Sequence, residues 1–284
     1  MSPLLTVEDL HARLSAGRPV TLLDVRWRLD LPEGRPEYVA GHLPGAVYVD
    51  LESELARRGH PEAGRHPLPL HADLQRAATR WGVNRGDLVV VYDDNDSVAA
   101  ARAWLLLRRT GVDVRVLDGG LRAWIAAGLP LASGDVAPQP GDVVLDDPGR
   151  GDLSIEEVAA FPSHGVLVDV RTPERYRGTA TGYDPTAGHI PGAVNVPTVT
   201  HILADGRLRS ADEILLAFAR VGATPGTDIA LYCASGIAAA HSALALAVAG
   251  VEAQVFVGSW SQWTQSAGRP VAIGSSPAER VFGH

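Results

Sequence analysis

The sequence predicts two consecutive α/β domains, each built on a parallel sheet that is flanked by helices on both faces. One observation behind this fold class is an internal repeat that runs through most of the 284 residues. The other is the alternation, within each half, of short apolar runs with helical patterns of ten or more residues. That alternation is typical of parallel strands joined by crossover helices.

The repeat consists of five segments that occur in the same order in both halves, with spacing that changes only between segments, which indicates a duplicated domain. The matching pairs are TVEDLHARL (6–14) with SIEEVAAFP (154–162), TLLDVR (21–26) with VLVDVR (166–171), GHLPGAV (41–47) with GHIPGAV (188–194), VVVYDDND (89–96) with IALYCASG (229–236), and LDGGLRAW (117–124) with FVGSWSQW (256–263). We therefore assign residues 1–132 and 153–284 to the two domains. The segment 133–152 is rich in Gly, Pro and Asp and is assigned to a linker.

Local patterns assign the main elements within each half. A hydroxyl residue followed by acidic and apolar positions at helical spacing predicts a helix at the start of each domain. The segments that contain DVR, and the runs LVVVY and DIALY, predict strands. The last two are apolar at every position, as expected of parallel strands that are covered on both sides. The alanine- and leucine-rich stretch 237–249 predicts a helix.

Composition and charge exclude several classes of partner. The net charge is −8 and every one of the 25 basic residues is arginine, which argues against nucleic acid or an anionic membrane as the main partner. No apolar run approaches the roughly 18 residues of a membrane span, and the N-terminus lacks the pattern of a signal peptide. The single cysteine cannot form an internal disulfide. These features favour a cytoplasmic protein.

That single cysteine, Cys233, lies where the chemistry of the chain is expected. It follows the predicted strand 229–232 and precedes the predicted helix 237–249, at the edge of a parallel sheet where ligands bind. A helix N-terminus stabilises anions, including a thiolate, and Gly236 lets the backbone fold closely around the sulfur. The first half has Asp93 at the corresponding position, so we expect the second domain to be active and the first to be silent.

The tandem pattern resembles the two-domain rhodanese family, the thiosulfate and 3-mercaptopyruvate sulfurtransferases. The resemblance is carried by both DVR strands, both GH(L/I)PGAV segments, RYRGT (175–179), the loop CASGIA (233–238) and GSWSQW (258–263). It implies two rhodanese-like domains, of which the C-terminal one is catalytic. It also implies sulfur transfer through a persulfide on Cys233, with neither a metal nor an organic cofactor. The implied partners are a small anionic sulfur donor and a thiol, cyanide or thioredoxin-like acceptor.

The remaining site residues follow from the same loop and its neighbours. The loop residues Ala234, Gly236, Ile237 and Ala238 would surround the donor, while Ser235 is a candidate catalytic hydroxyl or an ordinary helix N-cap. Arginine suits an anionic donor because it binds carboxylate and sulfonate oxygens with two N–H groups.

Two arginines are candidates for that role. Arg175, which opens RYRGT, is where the family places a donor-binding arginine. Arg171 is a second candidate, but Arg26 occupies the same place in the silent half, so a structural ion pair is the favoured interpretation of Arg171.

The sequence of the catalytic loop also bears on the identity of the donor and on a proton relay. The uncharged loop with serine two places after the cysteine resembles the mercaptopyruvate type, whereas thiosulfate-type members have two basic residues directly after the cysteine. Two departures keep the donor open: Ala238 replaces a threonine, and TATGYDPTA (179–187) contains no second arginine. The resemblance also suggests a Ser–His–acid relay in which His42 would be the histidine and Glu33 the acid. The alternative role of His42 is to shape the GHxPGA turn.

A non-enzymatic function is the main alternative. In that case Cys233 would carry a persulfide, or sense redox state, for a protein partner without turning over a small donor. A phosphatase is disfavoured because Ala239 stands where a phosphate-binding arginine would be needed.

Overall fold

The computed structural model describes residues 2–149, 152–182, 184, 186–277 and 280–282, and the chain divides into two compact units. One unit contains Met1–Arg57, Leu68–Gly151 and Ile202–Leu208, and the other contains Arg58–Pro67, Asp152–His201 and Arg209–His284. Each repeat therefore contributes one short segment to the unit formed mainly by the other repeat. We call residues 58–67, which join the second unit, the exchanged segment.

The first unit contains a five-stranded sheet in which every strand pair is parallel, in the order β1-β5-β4-β2-β3. Its strands are β1 (Leu4–Leu5), β2 (Thr21–Asp24), β3 (Val47–Tyr48), β4 (Leu88–Tyr92) and β5 (Asp113–Leu117). Its helices are α1 (Val7–Ser15), α2 (Arg35–Ala40), α3 (Leu51–Glu54), α4 (His71–Arg80), α5 (Val98–Arg109) and α6 (Gly120–Ala126). Every residue of β4 is buried, so both faces of the sheet are covered.

The second unit contains a four-stranded parallel sheet, in the order β7-β6-β8-β9, and a separate antiparallel strand pair. Its strands are β6 (Val166–Asp169), β7 (Val194–Asn195), β8 (Ile229–Tyr232), β9 (Gln254–Val255), β10 (Val271–Ile273) and β11 (Arg280–Phe282). Its helices are α7 (Ile155–Ala160), α8 (Pro173–Arg177), α9 (Ala211–Ala219), α10 (Ile237–Val248) and α11 (Ser259–Gln265). All four residues of β8 are buried, which again places cover on both faces.

The two sheets share the same strand register, which confirms the α/β fold and the duplication predicted from the sequence. In the first unit β2 pairs with β4 so that Asp24 lies beside Tyr92, and in the second β6 pairs with β8 so that Asp169 lies beside Tyr232. The hydroxyls of both tyrosines accept an N–H from the GHxPGA segment of their own unit, at 3.1 and 3.0 Å.

Part of the predicted linker packs against the rest of the first unit. Val143 and Leu145 are buried, and the N–H of Gly141 donates to the carbonyl of Thr79 at 2.8 Å. Residues 150 and 151 of the predicted linker lie outside the described residues, and the boundaries at 132 and 153 stay predictions. In the described part of the chain, no helix is long and apolar enough to cross a membrane.

Candidate active site

Cys233 lies in a tight turn between β8 and α10, as the sequence predicts. The turn comprises Cys233–Gly236, which we call the catalytic loop, and Gly236 closes it in a left-handed conformation with φ of 82°. A Cβ at Gly236 would lie 2.4 Å from the carbonyl oxygen of Val257, so only glycine fits at this position. Cys233 is 3% exposed, so its side chain is almost completely buried.

The sulfur faces polar groups that can stabilise negative charge. The N–H of Gly236 donates to the Sγ atom of Cys233 at 3.1 Å, and the hydroxyl of Ser259 lies 3.9 Å from the same atom. The Ser259 hydroxyl also accepts the N–H of Cys233 at 3.1 Å and donates to the Phe256 carbonyl at 2.8 Å. Ser259 has φ of 54°, an unusual conformation for a residue with a side chain, and its hydroxyl is thereby held beside the thiol.

Ser235 is paired with a histidine that the sequence analysis did not single out. The Nδ1 atom of His66 lies 2.8 Å from the Ser235 hydroxyl, and both residues are buried. His66 belongs to the exchanged segment, which is anchored beside the catalytic loop. The N–H of Arg65 donates to the Ser261 hydroxyl at 3.1 Å, and the N–H of Ser261 donates to the carbonyl of Ala234 at 2.9 Å.

His42, the predicted relay histidine, lies in the first unit and makes a different set of contacts. Its ring stacks on Tyr38 with ring centroids 4.2 Å apart, and its Nδ1 atom lies 2.9 Å from the Tyr38 carbonyl. His189 repeats this arrangement on Tyr176 in the second unit, at 3.9 and 2.8 Å. Glu33 is exposed. The histidine that the structure brings to Ser235 is therefore His66, and the duplicated contacts of His42 fit the turn-shaping role.

The guanidinium of Arg171 is bound by other groups of the protein. Its Nη2 atom lies 2.6 Å from the carboxylate of Asp169 and 2.7 Å from the carbonyl of Gly188, and the guanidinium stacks over Trp260. Burial alone would lower the pKa of Arg171, but the negative charge of Asp169 and the hydrogen bonds to it raise that pKa above its usual value. Arg26 forms the same ion pair with its neighbouring aspartate in the first unit. These contacts favour the structural interpretation of Arg171.

Arg175 is held differently, on the short helix α8. Its guanidinium lies against Gly182, where a Cβ would approach the Nη2 atom to 2.7 Å. Arg175 is half-buried and has no ion pair or side-chain hydrogen bond among the described residues, whereas Arg177 on the same helix pairs with Glu174. With respect to the described residues, the side-chain N–H groups of Arg175 are therefore available to an anionic ligand.

The other predicted loop residues differ in how deeply they are buried. Ala234 and Ala238 are half-buried, while Gly236 and Ile237 are buried. The Thr198 hydroxyl lies 3.5 Å from the carbonyl of Ala238. The loop thus presents small side chains and the backbone amide of Gly236 near the sulfur.

The corresponding turn of the first unit is filled by its own side chain. The carboxylate of Asp93 accepts the backbone N–H groups of Asn95, Ser97, Ala99 and Ala100 at 2.8–2.9 Å. Complete burial raises the pKa of Asp93 to about 6, against the opposing effect of these hydrogen bonds. Such a turn is built to hold an anion, and in the first unit that anion is Asp93.

Comparisons with known proteins agree with this geometry. The model of the rhodanese-like domain matches residues 6–127 and 154–266. The chain is 43% identical to the putative thiosulfate sulfurtransferase SseB of Mycobacterium tuberculosis, with 96% of this chain and 98% of that protein covered. It is 39% identical to a probable 3-mercaptopyruvate sulfurtransferase of Pseudomonas aeruginosa, with coverage of 95% and 98%.

A solved structure gives the same result for the three-dimensional fold. The crystal structure of the 3-mercaptopyruvate sulfurtransferase SseA of Escherichia coli superposes with a TM-score of 0.80 at 29% identity, covering 92% of this chain and 99% of that one. The chain therefore belongs to the rhodanese family of sulfurtransferases, with one rhodanese-like domain in each half.

Proposed function

We propose that this protein moves a sulfane sulfur from a small anionic donor to a thiophilic acceptor through a persulfide on Cys233. The observation that carries the proposal is the contact of the Gly236 N–H with the Sγ atom of Cys233 at the N-terminus of α10. This amide and the helix dipole stabilise a thiolate before the reaction and an anionic persulfide after it. Family membership and the names of the relatives support the same reaction.

The reaction takes place in two sulfur-transfer steps. The thiolate attacks the transferable sulfur of the donor, and the bond between that sulfur and the rest of the donor breaks with its electron pair on the leaving group. The leaving group is sulfite from thiosulfate and the enolate of pyruvate from 3-mercaptopyruvate. In the second step cyanide, a small thiol or a thioredoxin-like protein takes the outer sulfur, and the Cys233 thiolate is regenerated.

The pair of Ser235 and His66 favours 3-mercaptopyruvate as the donor. Pyruvate enolate must acquire a proton, whereas sulfite leaves as a stable anion without one. A hydroxyl 2.8 Å from a histidine nitrogen can pass a proton to that enolate, and both groups are sheltered from bulk water. The two relatives named above are named after different donors, thiosulfate and 3-mercaptopyruvate. We therefore base the choice of donor on the pair of Ser235 and His66.

The test is turnover with each donor and cyanide as the acceptor, combined with the intact mass of the protein after donor alone. We expect turnover, a mass gain of one sulfur atom, and loss of both in Cys233→Ser. Retained turnover in Cys233→Ser contradicts the proposal, and a mass gain with negligible turnover favours a persulfide carrier that serves a protein partner.

His66→Gln tests the choice of donor. It removes the proton relay, so its kcat with 3-mercaptopyruvate should fall about 10²-fold or more. Its kcat with thiosulfate is the internal control and should change much less. Equal losses with both donors contradict a proton-transfer role for His66.

We also propose that the protein works in the cytoplasm. The proposal is supported by the single cysteine, because a thiol that must alternate between thiolate and persulfide is kept reduced there. Fractionation of the native cells with an antibody against the chain tests the location, and a membrane or secreted fraction would contradict it.

A further inference from the structure

A pocket in the second unit lies between the segment that follows β7 and the helix α9. Its volume is about 490 Å³, which is within the range of pockets that bind ligands. Asn195 lines it from the end of β7, and Leu216, Arg220 and Val221 line it from α9 and the turn that follows. The proposed sulfur transfer assigns no role to this pocket.

The pocket is close to the catalytic loop. Asn195 is the last residue of β7 and lies beside Asp169, which lies beside Tyr232 at the end of β8. Neighbouring strands are about 4.8 Å apart, so the Cα atoms of Asn195 and Tyr232 are separated by about 10 Å. Cys233 follows Tyr232 directly. A protein that covers about 800 Å² of surface has a footprint about 30 Å across and would span both the pocket and the loop.

The first unit shows which groups fill the corresponding place there. In the register that matches VVVYDDND (89–96) with IALYCASG (229–236), Trp81 corresponds to Val221. Trp81 is 2% exposed, and its Nε1–H donates to the carboxylate of Glu54 at 3.2 Å. Arg80, which corresponds to Arg220, forms an ion pair with the same carboxylate at 2.7 Å. A buried indole and a carboxylate therefore occupy this place in the first unit.

The second unit has neither of these groups at the corresponding positions. Val221 has a smaller side chain than tryptophan and is half-buried. In the register that matches the two GHxPGAV segments, the residue that corresponds to Glu54 is His201. Arg220 is exposed and has no ion pair among the described residues. The pocket therefore has room for a large apolar group and offers a guanidinium to a carboxylate.

The surface around the pocket carries apolar side chains where the first unit carries charge. Arg76 of α4 forms an ion pair with Asp73, and the corresponding residue of α9 is Leu216, which is 56% exposed. Val199, in the segment that follows β7, is 68% exposed. A small molecule in the pocket would leave both apolar side chains in water, whereas a protein would cover them. The surface therefore favours a protein partner.

We propose that this pocket docks the protein that accepts sulfur from Cys233, and that the acceptor places a large apolar side chain beside Val221 and a carboxylate against Arg220. These contacts would reproduce between two proteins what Trp81 and Glu54 do within the first unit. The inference rests on the proposed function, and it commits to a thioredoxin-like acceptor. The thiolate of the acceptor attacks the outer sulfur of the persulfide, and the sulfur–sulfur bond breaks with its electron pair on the Cys233 sulfur. The acceptor leaves as a persulfide.

Variants that restore the side chains of the first unit test the proposal. Val221→Trp fills the pocket, and Leu216→Arg replaces its apolar rim by a charge. We would measure kcat/KM for reduced thioredoxin and for cyanide, because the kcat/KM of an acceptor reports only the transfer from the persulfide. Both variants should lower the value for thioredoxin about 10-fold or more, the loss expected at the centre of an interface. The value for cyanide should stay within about twofold, since cyanide needs no docking surface.

Leu70→Arg is the matched control. Leu70 is 58% exposed and precedes α4 in the first unit, so this variant should leave both values unchanged. Arg220→Gln removes only the charge, and it should reduce the salt dependence of the value for thioredoxin. Urea unfolding identifies any variant that has lost its fold. The exposed position of Leu216 keeps the test valid if Val221→Trp does not fold.

Each contrary result overturns the inference. Equal values for thioredoxin in Leu216→Arg and Leu70→Arg show that the pocket does not dock this acceptor. Equal losses with cyanide show that the variants act through the catalytic loop. A dimer that Val221→Trp dissociates, with unchanged kinetics, assigns the pocket to a second copy of the chain. Wild-type turnover with cyanide but not with thioredoxin contradicts the acceptor, whereas lack of turnover with cyanide is a failure of the proposed function itself.

Discussion

Replacing Gly236 by alanine tests whether the amide that faces the sulfur controls the reactivity of Cys233. Gly236 has φ of 82°, where a residue with a side chain costs about 1–2 kcal/mol. The new Cβ would lie 2.4 Å from the carbonyl oxygen of Val257, and one of the two backbone segments must move by about 1 Å to reach ordinary contact. The N–H of Gly236 would move with its own segment and leave its position 3.1 Å from the sulfur.

The size of the effect on Cys233 follows from the energy of the hydrogen bond that is lost. A hydrogen bond to a charged group contributes about 1.5–3 kcal/mol, so removing this one should destabilise the thiolate by that amount. We therefore expect alkylation of Cys233 by iodoacetamide, and turnover with either donor, to slow about 10- to 100-fold. The assays are the alkylation rate at constant pH and steady-state turnover, with urea unfolding to measure the free energy of unfolding.

Gly250→Ala is the matched control. Gly250 follows the C-terminal end of α10, has φ of 78°, and no atom lies within 4 Å of where its Cβ would be. It should lose about 1–2 kcal/mol of the free energy of unfolding from backbone strain alone, and its Cys233 should react at the wild-type rate. If Gly236→Ala alkylates and turns over as fast as Gly250→Ala, the amide does not control the thiolate and our reasoning is refuted.

Two further predictions concern the pH dependence of stability. Burial raises the folded-state pKa of Asp93 to about 6, so its contribution to stability is present below about pH 4 and is lost as the pH rises through 6. Asp93→Asn should thus gain about 3 kcal/mol relative to wild type between pH 4 and 7.5, and an unchanged difference in urea unfolding contradicts this. Burial, with a smaller effect from His241, lowers the pKa of His201 to about 3, so its contribution is present above pH 6.5 and is lost as the pH falls towards 3. His201→Phe should move the acid-unfolding midpoint to lower pH, and an unmoved midpoint contradicts this.

The fold and the position of the nucleophile could be predicted because both depend on local patterns. The runs that form β4 and β8 are apolar at every position, and a strand followed by a small-residue turn and an alanine-rich helix puts Cys233 at the sheet edge. The symmetry of the repeats also indicated the structural role of Arg171, because an arginine that occurs in both halves, only one of which contains a cysteine, is needed by the fold. Its ion pair in each unit agrees with that argument.

His66 and Arg65 could not be predicted because their position depends on where a loop docks. The exchanged segment has no apolar periodicity, so local patterns say nothing about the unit to which it belongs. One signal was present in the sequence. The first half has seven more residues between GHLPGAV (41–47) and VVVYDDND (89–96) than the second half has between GHIPGAV (188–194) and IALYCASG (229–236). Extra residues in one copy of a repeat indicate an added feature, but the partner of that feature emerges only from tertiary contacts such as that between His66 and Ser235.

The turns at Asp93 and at Cys233 differ in the side chain that occupies them, which supports the prediction that only the second half is active. Both turns are held by the same backbone contact, since the N–H of Leu121 donates to the carbonyl of Asp93 at 2.9 Å and that of Trp260 to the carbonyl of Cys233 at 3.0 Å. A carboxylate has two oxygens, and in Asp93 each accepts two backbone amides, so four N–H groups of this segment are already occupied. A thiolate has one sulfur, and at Cys233 it accepts one backbone amide. We expect backbone N–H groups of the second turn to stabilise the outer sulfur of a persulfide, much as those of the first turn hold the carboxylate of Asp93.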